Sequence, residues 1–297
     1  MYRGENKSLF WSKFYMTARK VLVYTVLTLL SILCLFTIYI LVVYSSREHS
    51  SIQRGFNGWF EGHWGENFKN IFFNTTFKAR YQTNFLIAMR NSFIVALGAT
   101  FCSVYFSTLT AYGIHMYRFK LRNGAFTFIL MIMMIPTQVS TTGFLAMIYN
   151  LKWYDHFFPL ILPAVASPVT FFYIKQYMES VLPFEMVEAA RVDGAGEIRI
   201  FHQIVLPVLK PALAVQIIFA FVGSWNNYFL PQLVLVRDTS KRTLPIVVAS
   251  LWSASNGTKD MGMIYMTIFL AIVPLVIVYF AFSRFIMKGL TLGAVKG

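Results

Sequence analysis

Charge is scarce in this chain. Only 13% of its 297 residues are Asp, Glu, Lys or Arg, and 57% are hydrophobic. A soluble domain carries roughly 25% charged and about 45–50% apolar residues. With a mean hydropathy of +0.58, an ordinary soluble protein is excluded and a membrane protein is implied. Cysteine is nearly absent: Cys34 and Cys102 both fall inside apolar runs, where they read as small buried hydrophobes, not as a disulfide framework. The five histidines (His49, His63, His115, His156, His202) show no metal-ligand spacing, so no metal site is expected. No G-x-x-x-x-G-K-[ST] loop is present to cradle nucleotide phosphates. The apolar runs contain essentially no ionisable side chains away from their ends, which excludes the intramembrane proton relays of secondary pumps and the Arg ladders of voltage sensors. If this chain moves a solute against a gradient, the energy enters through a separate subunit. The net charge of +14 forms no basic stripe with interleaved aromatics in a soluble domain, so no nucleic-acid partner is expected. Basic residues flanking spans and meeting lipid headgroups explain it better.

Six apolar runs are long enough, at about 20 residues, to cross a bilayer. They lie near 21–44, 91–114, 125–149, 157–177, 212–236 and 263–285, which predicts an all-α membrane protein with six transmembrane helices. Residues 1–20 form a basic tail, and 21–90 hold an uncleaved anchor helix followed by an extracytoplasmic loop. The core occupies 91–285, with a charged loop at about 179–210, and 286–297 form a C-terminal tail. The distribution of Lys and Arg in the short loops places both termini and the charged loop in the cytoplasm. The outer segment 45–90, rich in Gly and aromatics (Phe56, Trp59, Phe60, Trp64), is expected to be a folded-over cap with interfacial helices.

The charged loop is the most informative stretch. Between Lys175 and Lys210 it carries Lys175, Arg191, Arg199 and Lys210 against Glu179, Glu185, Glu188, Asp193 and Glu197. At roughly 2.5–3.5 kcal/mol per charge at a bilayer centre, these residues cannot lie in hydrocarbon. Glu185, Glu188 and Arg191, three apart, would line one helical face. Met186, Val187, Ala189, Ala190 and Val192 supply apolar surface, with small side chains at 189 and 190 permitting close approach of a partner. Gly194 is placed to end the helix in a left-handed conformation, and Leu206-Pro207 and Pro211 punctuate re-entry into the membrane. On these residues alone, a docking element and an ordinary helix–turn–helix loop both remain open.

Glu188-Ala189-Ala190, three residues, Gly194, nine residues, then Ile204-x-Leu206-Pro207 resembles the EAA signature of the membrane subunits of bacterial ABC importers. The likeness extends over about 85–297. It includes Arg90-Asn91-Ser92-Phe93, the turn Tyr117-Arg118-Phe119-Lys120, Ile135-Pro136-Thr137-Gln138-Val139, Trp225-Asn226-Asn227-Tyr228 with Pro231, and the ending Gly289 to Gly297. As a whole the chain is similar to the MalG-like carbohydrate permeases. Asn227 stands where that family often has an acidic residue, and Gly143 near where it has a second proline. The resemblance implies a type I ABC importer transmembrane domain in the cytoplasmic membrane of a bacterium. Its partners would be a second homologous permease, two cytoplasmic ATPases that bind the ATP and Mg, and an extracytoplasmic sugar-binding protein. It further implies that Glu188, Ala189, Ala190, Arg191, Asp193, Gly194, Ile204, Leu206 and Pro207 couple to an ATPase. Thr291, Gly293, Val295, Lys296 and Gly297 would reach the ATPase dimer.

For substrate passage the candidates are Thr137, Gln138, Ser140, Trp225, Asn226, Asn227 and Tyr228. They are polar or aromatic residues near Pro136 or Pro231, where a kinked helix exposes backbone groups. The same groups could instead bond neighbouring helices. A stand-alone secondary carrier or channel for a small polar solute is the rival reading, and it predicts flux without ATP or partner. A membrane-embedded enzyme would need a catalytic constellation, and none is found in the sequence.

Overall fold

The computed structural model of the protein describes residues 2–73, 84–253 and 259–294, with side chains for all of these except 2–14, 137, 138 and 286–294. Every regular element among the described residues is helical. Four helical stretches are long and apolar enough to cross a membrane: Tyr15–Ser45, Phe85–Met116, Phe158–Val181 and Met261–Phe285. They match the expected spans at 21–44, 91–114, 157–177 and 263–285. The other two expected spans are not continuous rods among the described residues, so length and composition support four spans, or five with a bent pair, and do not confirm the count of six.

The run 125–149 divides into α5 (Arg122–Ile132) and α6 (Thr137–Asn150). The reason is Pro136, which lacks an N–H and drives its predecessor out of the helical region. The chain tightens into three-residue turns there: Met133, Met134 and Ile135 donate to the carbonyls of Leu130, Met131 and Ile132, each at 3.1 Å. The run 212–236 divides into α12 (Lys210–Trp225) and α13 (Phe229–Val234), since the Pro231 ring cannot share a helix with the carbonyl of Asn227. At its other end α12 meets the preceding helical stretch Glu197–Val208 at 82°, and that bent pair would make a fifth span at most.

Two compact units are distinguished. The first comprises Met1–Lys69 with Asp260–Phe269. Its α1 (Tyr2–Ser45) is one 44-residue helix, so the basic tail continues the anchor helix without a break. Apolar side chains along α1, among them Leu22, Leu33 and Leu35, are exposed, as expected of a helix bounded by lipid or by another subunit. Two short helices, α2 (His49–Gln53) and α3 (Trp64–Phe72), fold over its end. Arg47 is buried, and its guanidinium donates to Glu61 Oε1 from Nε (3.0 Å) and Nη2 (2.5 Å) and to the Asn57 carbonyl (3.0 Å). That bonding holds the Glu61 carboxyl below its usual range. Asn67 Nδ2 donates to the carbonyls of Ser45 and Arg47, both at 2.9 Å. A Cβ at Gly262 would stand 2.3 Å from the Arg47 carbonyl oxygen, so only glycine permits this approach.

The second unit, Asn70–Lys259 with Leu270–Gly297, is organised around α4 (Phe85–Met116). Packed on it are α7 (Phe158–Ile161) with the following 3-10 turn, α8 (Pro168–Val181), α12 and α14 (Leu244–Trp252). A buried stripe of small residues on α4 (Ala88, Ser92, Ala96, Ala99, Ser103, Ser107, Ala111) lets backbones approach closely, the usual source of helix adhesion where the solvent is as apolar as the side chains. Ser103 and Thr170 hydroxyls bond at 3.0 Å, and Ser107 Oγ donates to the Ser167 carbonyl at 3.2 Å.

Candidate functional site

The charged loop folds as α9 (Phe184–Val192), a turn, and α10 (Glu197–Ile200), which runs through a π-helical turn at Phe201–Val205 into α11 (Leu206–Val208). Pro207 cannot donate a bond to Gln203, and the adjacent i→i+5 turn, with Leu206 N–H on the Phe201 carbonyl, accommodates that missing donor. α9 ends as its sequence requires. Gly194 has φ +79°, its N–H donates to the Arg191 carbonyl and the Ala195 N–H to the Ala190 carbonyl, both at 3.0 Å. These two bonds form a Schellman closure. A Cβ at Gly194 would touch nothing within 4 Å, so glycine is required there by backbone conformation alone.

α9 has an inner and an outer face. Val187 and Ala190 are buried against Met178, Leu182, Ile200 and Phe201. Glu185, Glu188, Ala189, Val192 and Asp193 are exposed, Val192 at 87%. The expectation that Ala189 and Ala190 together form a small-residue contact surface is therefore corrected: Ala189 faces out, whereas Ala190 packs inward. Arg191 likewise does not share the outer face with Glu185 and Glu188. It bridges the turn, its Nε 2.7 Å from Glu197 Oε1, with its guanidinium 5.4 Å from the Tyr117 ring centre. Glu197 Oε2 accepts from Tyr112 Oη at 2.8 Å. The hydrogen bond from Arg191, opposed by partial burial, lowers the Glu197 carboxyl to about 2, and the same bond raises Arg191. Burial, and then the neighbouring carboxylate, push the Tyr117 phenol up. Of the remaining motif positions, Ile204 and Leu206 are half-buried and Pro207 is exposed.

Two further contacts fasten this element to α4, and a third ties α5 to α4. Phe201 packs edge-on against Tyr105, ring centres 5.8 Å apart. His115 bonds the Leu182 carbonyl at 3.0 Å and stacks on Phe184 at 5.1 Å. Arg122 donates to the last α4 carbonyls, Ile114 (2.7 Å) and His115 (3.1 Å), a favourable place for a cation. Sequence reasoning counted Glu197 only as one more charge. Its six-residue spacing from Arg191 across a glycine turn was the available signal.

The substrate-path candidates fall into two groups. Thr137, Gln138 and Ser140 open α6; Ser140 is exposed, and the side chains of 137 and 138 lie outside the described set. Trp225 is buried: it stacks on Phe221 (5.5 Å), meets Phe93 edge-on (4.8 Å), and its Nε1 donates to the Ala271 carbonyl (3.1 Å). In this structure the Trp225 side chain serves helix packing and is not exposed to a path. Asn226 and Asn227 are exposed in the break, and Asn227 Oδ1 accepts from Leu230 N–H at 3.4 Å. Tyr228 lines a cleft of about 390 Å³ with Gln232, Arg242, Ser250 and Ser253. Of the tail candidates, Thr291 and Gly293 lie on the helical backbone of α15 (Met261–Ala294), while Val295, Lys296 and Gly297 lie outside the described residues.

Comparison with known proteins bears on this geometry. Residues 103–291 match the family described as "Binding-protein-dependent transport system inner membrane component". The chain belongs to this family. Within it, the chain is 37% identical over 207 residues to the arabinooligosaccharides transport system permease protein AraQ of Bacillus subtilis, spanning 70% of this chain and 72% of that one. It is 32% identical over 260 residues to the sn-glycerol-3-phosphate transport system permease protein UgpE of Yersinia pestis, spanning 87% and 91%. A crystal structure of a bacterial ABC transporter that imports the acidic polysaccharide alginate shares the fold, with a TM-score of 0.74 at 18% identity over 90% of this chain and 96% of that one. The chain is thus a membrane-embedded permease of the binding-protein-dependent type, and the family segment includes all of α8 to α13, with the charged loop inside it.

Proposed function

We propose that this permease is a transmembrane subunit of an ATP-driven sugar importer. It forms half of the translocation pathway beside a second homologous permease and catalyses no covalent chemistry itself. Two cytoplasmic ATPases bind ATP and Mg and drive it, and an extracytoplasmic binding protein delivers an oligosaccharide or related polyol. Both termini and the charged loop lie on the cytoplasmic side. Glu188, Ala189, Val192 and Asp193 form the surface seated on the ATPase, Gly194 sets the turn behind it, and Ile204, Leu206 and Pro207 carry its movement into α12.

The observation that supports this reading is the α9 element: a short helix with an exposed face, closed by Gly194 and locked through Arg191, Glu197 and Tyr112 to the longest packed helix of its unit. A rigid element held that way transmits rotation, whereas a slack loop absorbs it. The experiment replaces Glu188 by Lys and Ala189 by Trp in the reconstituted complex. Transport and substrate-stimulated ATP hydrolysis should fall by more than tenfold while membrane insertion and the unfolding temperature stay as in the parent. Unchanged transport would end the coupling reading, and solute flux without nucleotide would favour the stand-alone carrier.

A further inference from the structure

The turn joining α4 to α5 is not used by the coupling element beyond the contact of Tyr117 with Arg191. Its sequence, Tyr117-Arg118-Phe119-Lys120-Leu121-Arg122, alternates apolar and cationic side chains. The backbone is extended at Tyr117, with φ −98° and ψ 137°, and then turns, the Arg122 N–H donating to the Phe119 carbonyl at 3.1 Å. Phe119 and Leu121 are exposed at 46% and 75%. Arg118 and Lys120 are exposed as well. Arg118, Phe119 and Lys120, together with Arg122 and Asn123, line an open cleft of about 360 Å³, and Leu121 stands outside that lining.

Charge decides what such a cleft can hold. No Asp or Glu occurs between Glu66 and Asp155, while that stretch carries Lys69, Lys78, Arg80, Arg90, Arg118, Lys120, Arg122 and Lys152. The nearby Glu197 carboxylate is taken by Arg191 and Tyr112. Arg122 donates to two α4 carbonyls. The cleft is therefore cationic, with exposed apolar side chains on its rim, at the end of the longest packed helix in a membrane protein. Aromatic residues favour the headgroup level of a bilayer, and clustered cations there attract anionic lipids.

We propose that the 117–123 turn is a binding site for the headgroup of an anionic phospholipid. Arg118 and Lys120 meet the phosphate, and Phe119 and Leu121 enter the acyl boundary. The site holds α5 against the bilayer surface on the same side as the charged loop, to which Tyr117 is tied through Arg191.

Native mass spectrometry of the full-length chain, purified with its partners, tests this with phosphatidylglycerol and phosphatidylcholine as equimolar probes. The parent should retain phosphatidylglycerol over phosphatidylcholine. The double variant Arg118→Gln, Lys120→Gln should lose roughly fivefold of that preference per cation removed. The charge-preserving Arg118→Lys, Lys120→Arg variant should keep it, which separates the headgroup contact from a folding defect. Equal preference in the parent and the glutamine variant would overturn the site. Displacement of the lipid by millimolar inorganic phosphate would also overturn it, since that result marks a soluble-anion site without a lipid contact.

Discussion

The two ends of α4 hold their neighbours by different chemistry. Toward Phe85 the grip is neutral: Asn91 Nδ2 donates to the carbonyls of Ser240 (2.8 Å) and Arg242 (3.1 Å), and Ser92 Oγ accepts from the Leu244 N–H at 2.8 Å. Toward Met116, about 30 Å along the axis, the grip is ionic and aromatic, built from Tyr112, Tyr117, Arg191 and Glu197. Asn91 is 1% exposed, whereas the Arg191 and Glu197 side chains are 34% and 43% exposed. A buried amide on backbone carbonyls is insensitive to salt and pH and fixes one geometry. A half-exposed ion pair is screened, titratable and weaker. The first suits a part that stays fixed, the second a part that meets a partner and moves.

Breaking the neutral end should do the most damage. Asn91→Leu removes two hydrogen bonds made by a buried amide, at about 1 kcal/mol each, and should lower the unfolding temperature more than any change at the other end. Next comes Gly194→Ala, which forces a side chain into the left-handed region at about 1–2 kcal/mol. It should loosen α9 to protease before the remainder of the chain unfolds. Tyr112→Phe removes one hydrogen bond, worth about 1 kcal/mol, and should speed amide exchange across 184–196 with global stability nearly unchanged. The smallest effect at neutral pH is that of Glu197→Gln, which retains an acceptor. Its signature is in acid. The Glu197 carboxyl is lowered from its ordinary 4.5 to about 2, so its contribution is complete above pH 4.5 and disappears as pH falls toward 2. Protection of 184–196, corrected for intrinsic exchange, should decline through that window in the parent and not in the variant.

These contrasts were only partly legible in the sequence. The α9 turn could be read because glycine at 194 answers a backbone need that no other residue meets cheaply, and the break before α6 could be anticipated from Pro136. The inward turn of Ala190 could not, because an alanine on a short helix carries no mark of the face it buries. The same is true of Trp225. In a run that is apolar on all sides, side chains facing lipid and those facing protein are chemically alike, so periodicity does not separate them. Arg47 lies in the segment read as an outer loop, and its buried pairing with Glu61 depends on a fold-back of fourteen residues. The interruption at 226–228 was masked by the hydrophobicity on either side of it.

The central claim is that α9 presents one face to an ATPase and keeps the other packed inside its own chain. In a reconstituted complex whose Cys34 and Cys102 have been replaced by serine, single cysteines at Ala189 and Ala190 should behave oppositely toward a short crosslinker. Ala189→Cys should link to the nucleotide-binding subunit with a yield that changes when ATP is added, and Ala190→Cys should link to nothing outside its own chain. Linking through position 190 but not 189, or labelling of 189 only from the extracytoplasmic side, would contradict the account.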